Sequence, residues 1–467
     1  MLSKDEKKRQ LILFDKNIYK GLIIMTLPLM LNNFIKTIHD IIDMFFVGRI
    51  PGYGIEAINA IQLTFPVFFT FISLGIGLSA AGTAIISQLV GANKLDKAKQ
   101  YAGNLLIIAV ILGALLNVFA FFVGPLIMEL MGARGYVLAE SSSYIRIRSF
   151  ELIFVFLFFA FTSIRQASGD TLTAVIYGVI TVVINIVLSP TLIQVFHMGV
   201  AGAAYATLAA NVLIVPFFAR QLFVNKTGIT ISFDDIKMRA NQMKELIKTA
   251  IPASLGQAVT AIGFILINTI IYTFGDQVLA AFTVGNRLNS MILHPVMAIG
   301  GVVSAYIGQN IGNHNPDRAK ETFKKAMYLS IGISVFFALL FMFMRRPLVS
   351  IFLHEDPAAV ELASTYMIYV LSSIPLMAIF QTFLGTYNGA GRTGFTFMLS
   401  ITRLWVLRIP LVLLFTYVTQ IGASGIWIAM TISNLVIILP GVLLYKKITF
   451  KPIVQILRKR EPLEKVV

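Results

Sequence analysis

Residues 88–99 (QLVGANKLDKAK) and 309–320 (QNIGNHNPDRAK) resemble each other at an offset of 221 residues. Five positions are identical and occur in the same order: Gln88/Gln309, Gly91/Gly312, Asp96/Asp317, Ala98/Ala319 and Lys99/Lys320. Self-similarity at a fixed offset is the sequence signature of a repeated architecture. The pair therefore predicts that the chain contains two halves that fold in the same way.

The same register continues on both sides of this stretch. Further matches keep an offset between 222 and 224: Thr26/Thr249, Pro28/Pro252, Gly169/Gly391, Thr171/Thr393, Gly199/Gly422, Gly202/Gly425 and Asn211/Asn434. Chance matches would not hold one register over such a distance. We therefore interpret nearly the whole chain as a duplication.

The composition indicates a membrane protein. Of 467 residues, 57% are apolar and 13% are charged, against about 45–50% and about 25% in soluble domains. This excludes a soluble enzyme and a disordered chain, and continuous apolar runs exclude an alternating membrane β-barrel. There is no Cys, so disulfides and thiolate metal sites are excluded as well.

Twelve apolar segments are each long enough for a membrane span of roughly 20 residues. They are 21–47, 56–80, 102–127, 144–164, 172–196, 201–223, 246–274, 278–307, 326–351, 364–388, 395–418 and 424–445. Six spans per half is an even number, so both halves enter the membrane from the same side. The expected fold is an all-α integral membrane protein with two six-helix lobes related by a parallel pseudo-two-fold repeat, and such repeats place a substrate site between the halves.

Most Lys and Arg residues fall on one side of this topology, at both termini and in alternate connections. The positive-inside rule then places both termini in the cytoplasm, so the net charge of +16 reflects topology and we expect no nucleic-acid partner. We expect a multi-pass protein of the inner (plasma) membrane. The predicted organisation is 1–20 N-terminal segment, 21–224 N-lobe, 225–245 cytoplasmic linker, 246–447 C-lobe and 448–467 C-terminal tail.

Acidic residues within spans are costly and are functional candidates by default. We place three of them well inside segments, Asp40 and Asp43 in the first span and Glu151 in the fourth. At 100° per residue, Lys36, Asp40 and Asp43 share one stripe of the first helix. Lys36 and Asp40 form an i, i+4 pair, which leaves Asp43 to exchange a proton or to hold a small cation. The alternative is that Asp43 pairs locally near the end of the helix.

Other polar residues in the spans have weaker signals. Asn185 and Ser189 lie one turn apart in the fifth span and Thr207 lies in the sixth; their oxygens suit hard cations, although interhelical hydrogen bonding is the more common role. Pro28 predicts a kink in the first helix. Glu151 follows Arg148 by three residues and predicts a structural ion pair. Arg403 and Arg408 are expected to snorkel or to meet acidic groups.

Motifs of catalysis are missing from the sequence. The five His residues are scattered, and there is no HExxH, GxSxG or P-loop pattern. We therefore expect neither an enzyme nor a cofactor. A chain of this length also leaves no room for a nucleotide-hydrolysing domain, so the expected energy source is an ion gradient.

Several motifs together resemble the multidrug and toxic compound extrusion (MATE) family. They are Leu27-Pro28, Asp43–Gly48 (DMFFVG), Gln88–Asn93 (QLVGAN), Arg165–Asp170 (RQASGD), Asn185–Pro190 (NIVLSP), Gly199–Thr207 (GVAGAAYAT) and Arg408–Pro410 (RIP). The resemblance covers the whole chain. It implies twelve helices in two lobes and export of bulky, often cationic, drug-like molecules in exchange for Na⁺ or H⁺, and we expect a monomer.

Within the family the chain is most similar to the DinF-like branch, whose cation site lies in the first lobe. That pattern implies coupling residues at Asp43, Asn185, Ser189 and Thr207, with Asp40 as a further candidate, Na⁺ held at Asp43, Asn185 and Thr207, and Pro28 as the bending proline. The sequence departs from the pattern at Ser189, where the branch has an acid, and at Lys36, where it has a neutral polar residue and where we expect the cavity wall. The coupling ion therefore stays open between H⁺ and Na⁺.

Two other readings of the sequence remain. A flippase for lipid-linked sugars belongs to the same superfamily and favours a cationic cavity, which Lys36, Arg403 and Arg408 could supply. A receptor or scaffold that transports nothing is the alternative of another class.

Overall fold

The computed structural model describes residues 4–50, 52–224, 228–353, 357–419 and 421–454. Nearly all of them are helical, and no strand occurs in those ranges. The first half contains α1 (Lys4–Leu13), α2 (Ile18–Val47), α3 (Gly54–Gly91), α4 (Leu95–Leu130), α5 (Gly135–Ser149), α6 (Glu151–Ala167), α7 (Thr171–Pro190), α8 (Gly199–Leu213) and α9 (Val215–Phe223).

The second half repeats this order after a short 3₁₀ turn, Phe233–Asp235. Its helices are α10 (Ala240–Tyr272), α11 (Asp276–Gly312), α12 (Pro316–Leu353), α13 (Pro357–Gly389), α14 (Thr393–Ile401), α15 (Ile409–Leu413), α16 (Ala423–Val436) and α17 (Ile438–Lys447). In the described part of the chain, three short π-helical segments interrupt the bundle, at Thr191–Val195, Thr402–Arg408 and Leu414–Val418.

The predicted twelve spans are present. Within the described residues, eleven helical stretches are long and apolar enough to cross a membrane, and the bent pair of α5 and α6 supplies the twelfth. These two helices meet at 46°, and the predicted Arg148–Glu151 ion pair joins them, with Nε–Oε2 at 2.7 Å and Nη2–Oε1 at 2.9 Å. A bidentate pair of this kind satisfies a carboxylate that is almost fully buried.

Several helices extend beyond the apolar segments on which they were predicted. α3 continues from residue 80 to Gly91, and α11 continues from residue 307 to Gly312. These extensions mix aliphatic residues with Gly, Ser and Gln, and their last turns meet the opposite lobe. They lie at the end of the bundle that also holds α1, and we refer to this end as the α1 end.

Candidate functional site

Three of the predicted coupling residues meet where α7 crosses α8. The Ser189 hydroxyl donates to Asn185 Oδ1 at 3.1 Å, and Asn185 Nδ2 donates to Thr207 Oγ1 at 3.1 Å. Asn185 is 2% exposed and Ser189 is 0% exposed. A buried amide needs partners for both its oxygen and its nitrogen, and the two hydroxyls supply them. The crossing is therefore a connected polar chain inside an apolar lobe.

Helix α2 runs beside α7, and one close approach together with one shared buried cluster gives their register. A Cβ on Gly178 would lie 2.8 Å from Asn32 Oδ1, and Val47 shares a buried cluster with Ile193. Both intervals, 32 to 47 and 178 to 193, are 15 residues long. Because both helices rise by about 1.5 Å per residue, the backbone of residue 43 lies at the level of Ser189.

The side chains of Asp40 and Asp43 lie outside the described residues, so the register locates only their backbone. Lys36 is two helical turns closer to the α1 end, level with Val182, and its side chain is exposed. Pro28 lies inside α2, which is helical on both sides of it. Its missing N–H deprives the carbonyl of Ile24 of its usual partner, and the kink itself stays a prediction.

The oxygens at this crossing can serve a hard cation. Amide and hydroxyl oxygens are neutral ligands suited to such ions, and residue 43 brings a carboxylate-bearing position to the same level. In the present arrangement Asn185 and Ser189 also satisfy each other through hydrogen bonds. A cation entering here must therefore replace internal hydrogen bonds, so binding would be linked to a rearrangement of the α7–α8 crossing.

The second lobe places a cation at the equivalent position. The flanking pairs Thr171/Thr393 and Gly199/Gly422 have offsets of 222 and 223, so Asn185 corresponds to position 407 or 408. Arg408 Nε donates to Ser433 Oγ at 2.9 Å, and its Nη2 donates to Asn434 Oδ1 at 2.6 Å. The expectation that Arg403 and Arg408 snorkel or pair with acids is wrong. Both are buried, and no carboxylate among the described residues pairs with either one, because the polar groups of α16 accept the hydrogen bonds of Arg408.

The two lobes are joined at the α1 end by the residues that revealed the repeat. Gln88 Nε2 donates to the carbonyl of Gly389 at 3.2 Å, and Gln309 Nε2 donates to the carbonyl of Ala167 at 2.7 Å. Ala167 and Gly389 are themselves related by the offset of 222. Each glutamine is fully buried and reaches the last turn of a helix in the opposite lobe, so the two bonds form a symmetric pair.

Two glycines allow the lobes to approach this closely. A Cβ on Gly91 would overlap the carbonyl of Gln309, and a Cβ on Gly312 would overlap the carbonyl of Gln88. Both overlaps involve backbone atoms, which cannot rotate away. The repeated Gln-x-x-Gly spacing thus produces a tight contact that closes the bundle at the α1 end, and we call these four residues the inter-lobe lock.

Helix α1 lies over the lock and contacts both lobes. Arg9 Nη1 donates to Asn93 Oδ1 at 2.8 Å in the first half. Arg318 of the second half donates from Nε to the carbonyl of Ile12 at 3.1 Å. The side chain of Ile12 is fully buried. The N-terminal segment is therefore a packed element of the closed end.

An ion pair fixes α1 to the start of α7. Lys8 Nζ lies 2.7 Å from Asp170 Oδ1, and Asp170 also accepts from the Thr173 hydroxyl at 2.7 Å as the N-cap of α7. Burial alone raises the pKa of the Asp170 carboxyl, but the hydrogen bond and charge of Lys8 outweigh it and hold the pKa below its usual value. Asp170 is thus ionised at neutral pH and stabilises both the cap and the ion pair.

Twelve spans in two repeated lobes, closed at one end by symmetric contacts, define a polytopic transporter. A sequence profile of the MatE family matches residues 28–191 and, a second time, residues 252–414. The chain therefore belongs to the MatE family, and it is a membrane transporter and not an enzyme. The double match also confirms the internal repeat, because its two starting points differ by 224 residues.

Characterised sequences and structures agree with this assignment. The chain is 26% identical over 421 residues to the probable multidrug resistance protein YoeA of Bacillus subtilis strain 168, covering 88% of this chain and 90% of that protein. It is 27% identical over 388 residues to the multidrug export protein MepA of Staphylococcus aureus strain MRSA252, covering 83% and 85%.

Solved structures share the fold. An outward-facing multidrug resistance MATE family transporter of the MOP superfamily superimposes with a TM-score of 0.88 at 22% identity, covering 96% of this chain and 98% of that chain. A MATE structure in the straight conformation gives a TM-score of 0.87 at 24% identity, covering 94% and 98%.

Sequence reasoning missed two features of the structure. Gln88 and Gln309 were noticed as repeat markers, but their part in joining the lobes was not foreseen. The available signal was a glutamine three residues before the end of an apolar helix, in both halves. Asn32 was also missed; its Oδ1 is buried without a hydrogen-bond partner beside Gly178.

Proposed function

We propose that this chain is a secondary active multidrug exporter that couples export of bulky organic compounds, often cationic, to uptake of H⁺ or Na⁺. The observation that carries the proposal is the polar crossing of Asn185, Ser189 and Thr207 at the level of residue 43. The printed names of the relatives, a multidrug resistance protein and a multidrug export protein, support drug-like substrates.

In this mechanism Asp43 binds the coupling ion in one state of the transport cycle and releases it in the substrate-bound state. Antiport requires that ion and substrate bind with opposed effects on one another. Ion binding would rearrange the crossing, because Asn185 must exchange its hydrogen bond with Ser189 for the ion. Access would alternate by rocking of the two lobes, and the inter-lobe lock must separate when the α1 end opens.

We propose further that the α1 end faces the cytoplasm of a cell bounded by an inner (plasma) membrane. The Lys and Arg residues of the N-terminus, of the linker and of the C-terminal tail support this orientation through the positive-inside rule. We also propose that the lobes comprise residues 21–224 and 246–447, that the chain belongs to the DinF-like branch, and that it works as a monomer.

Ethidium efflux from proteoliposomes tests the proposal. The wild-type protein is compared with Asp43→Asn under an imposed H⁺ gradient and, separately, under a Na⁺ gradient. Gradient-driven efflux that Asp43→Asn abolishes is the expected result, and the gradient that drives it identifies the ion. Asp40→Asn is the matched control, because it removes an acid three residues away on the same helix.

Other results contradict parts of the proposal. Efflux that survives Asp43→Asn but not Asp40→Asn moves the coupling role to Asp40. Efflux that is independent of both gradients rejects ion coupling. A folded protein that moves neither ethidium nor any of a panel of cationic and zwitterionic drugs rejects multidrug export.

A further inference from the structure

The second lobe buries two positive charges. Arg403 is 4% exposed and Arg408 is 2% exposed. Both lie in the π-helical segment Thr402–Arg408. Backbone bonds in a π-helix join residues i and i+5, so the two side chains leave the helix on the same side. A guanidinium stays charged in proteins, and an uncompensated buried charge is expensive.

The hydrogen bonds of Arg408 are largely satisfied by neutral groups. It donates to Ser433 and Asn434, and Asn434 Nδ2 in turn donates to Ser373 Oγ at 3.3 Å. These contacts hold the Arg408 side chain in place between α13 and α16. They supply no negative charge, so the charge of Arg408 is oriented but not neutralised.

Arg403 has still weaker partners. Its Nη1 lies 2.9 Å from the thioether sulfur of Met377, and its guanidinium carbon lies 4.3 Å from the centre of the Phe380 ring. Its Nε is buried with no hydrogen-bond partner. A thioether is a weak acceptor and a cation–π contact does not neutralise the charge, so Arg403 presents an unused donor and an unbalanced charge.

The groups around Arg403 and Arg408 add hydrogen-bond donors rather than negatively charged acceptors. Arg403 and Arg408 lie five residues apart in one π-helical segment, and the buried hydroxyl of Tyr366 on α13 has no hydrogen-bond partner. Two cations and an unused N–H therefore lie in one segment of the second lobe. What would balance this set is a negatively charged group that accepts hydrogen bonds.

We propose that the second lobe binds a small anion, with the Arg403 guanidinium as its principal ligand and Arg408 as the second positive charge. The anion is either a free chloride ion or the carboxylate of a substrate molecule. Both are compact acceptors, which the nearly closed surroundings of Arg403 require. The binding site is inferred from the second lobe alone, and only its possible use by a substrate rests on the proposed export function.

Thermal unfolding of the purified, detergent-solubilised protein tests the site without a transport assay. Chloride is titrated at constant ionic strength against Hepes, a bulky sulfonate that the site should exclude. Ligand that binds only the folded state raises its unfolding temperature. We expect a saturable rise of about 2 °C or more. A rise that is linear, or equal in chloride and Hepes, overturns the proposal.

Acetate and benzoate titrations distinguish the two sources of the anion. Chloride binding with no response to carboxylates identifies a resident counter-ion. Carboxylate binding that competes with chloride identifies a substrate subsite. Either result supports the anion site. If neither anion binds, the proposal of ion-coupled efflux through Asp43 is unaffected, because unfolding temperature and ethidium efflux are separate measurements.

Three variants assign the effect to Arg403. Arg403→Met should lose the chloride response, and Arg403→Lys should keep it with an apparent Kd raised about tenfold, since lysine retains the charge but not the planar fork. Arg220→Met, which removes an exposed charge at the end of α9, should respond like wild type. If Arg403→Met does not fold, Arg403→Lys decides alone: an unchanged Kd overturns the assignment.

Discussion

In each lobe the fifth span packs against the sixth span, yet the two contacts have opposite chemistry. In the first lobe Asn185 bonds to Ser189 and Thr207. In the second lobe Arg408, at the corresponding level of the repeat, bonds to Ser433 and Asn434. Duplication preserved the order of the spans while the polar groups diverged. The repeat therefore predicts architecture, and its broken symmetry indicates where function lies.

At the α1 end the comparison has the opposite outcome. Gln88 and Gln309 make matching bonds, and Gly91 and Gly312 make matching close contacts. A contact between two related lobes is most easily closed when both contribute the same residues. Equivalent substitutions at the symmetric positions of the α1 end should thus have equal effects. Substitutions at the two crossings should have different effects.

The largest expected effect comes from giving the first crossing the charge of the second. Asn185→Arg places a buried cation beside the proposed coupling acid, and an uncompensated buried charge costs about 3–5 kcal/mol. We expect gradient-driven ethidium efflux to fall at least about 100-fold. Asn185→Leu separates loss of the amide from gain of the charge and should fall less. Equal efflux in Asn185→Arg and wild type would refute the first-lobe site.

A second prediction concerns the symmetry of the inter-lobe lock. Gly91→Ala and Gly312→Ala should each push the lobes apart at the α1 end, because the new Cβ overlaps backbone carbonyls. The chain has no Cys, so Ser87→Cys provides a single buried thiol there for maleimide labelling. We expect each alanine to raise the labelling rate roughly tenfold, since about 1.4 kcal/mol corresponds to a factor of ten.

The control for the lock is Gly332→Ala, where nothing lies within 4 Å of the new Cβ. It should label at the parent rate. The labelling rates of Gly91→Ala and Gly312→Ala should be similar. If these two rates differ from each other by as much as either differs from the parent rate, the closed end is not symmetric.

A third prediction restores the acid that the first crossing lacks. Ser189→Asp adds a carboxylate within reach of Asn185, so the half-saturating concentration of the coupling cation should fall about tenfold in efflux assays. Ser189→Ala removes one hydrogen bond, contributing about 0.5–1.5 kcal/mol, and should change that concentration only a few-fold in the other direction. No change with Ser189→Asp would place the cation elsewhere.

The smallest effect is expected at the Lys8–Asp170 pair. Because the pKa of Asp170 is lowered in the folded protein, its stabilising contribution is present above the unfolded-state value of about 3.9 and is lost as pH falls through the folded-state pKa. Hydrogen–deuterium exchange of the α1 amides, normalised for the intrinsic pH dependence of exchange, should therefore stay constant down to about pH 4 and rise below it. Lys8→Met should exchange faster than wild type above about pH 4 and approach it at lower pH, and a wild-type change near pH 6 would implicate another group.

The sequence predicted the spans and the repeat because both depend on local or periodic properties. Apolar segments of sufficient length are visible without any contact information, and the ion pair of Arg148 and Glu151 is visible from its spacing. The bent fourth span and the extended ends of α3 and α11 are less visible, because their boundaries depend on burial against other helices.

Asp40 and Asp43 were predicted from residue type and helix geometry, but the rest of the candidate site was predicted only through family resemblance. From residue type alone, Asn185, Ser189 and Thr207 were more consistent with ordinary hydrogen bonds between helices, and the structure contains such bonds. The register of α2 against α7, which brings the backbone of residue 43 level with Ser189, depends on a contact between Asn32 and Gly178 that no local pattern encodes.

Arg403 and Arg408 illustrate the limit of sequence reasoning. A charged residue in an apolar segment has several ways to be accommodated, and the sequence favoured exposure at a helix end or an acidic partner. The choice depends on which groups of α13 and α16 lie opposite, and on the π-helical widening of Thr402–Arg408. Those are properties of the folded lobe.

The sequence by itself determined that this protein crosses the membrane about twelve times in two repeated halves, because hydropathy and self-similarity are written along the chain. Only the tertiary structure decided which repeated residues join the lobes and which diverged into a neutral crossing and a cationic one. The physical reason is that a buried polar group acquires its role from the partners that reach it. Those partners, such as Gly389 for Gln88 and Asn434 for Arg408, lie tens or hundreds of residues away.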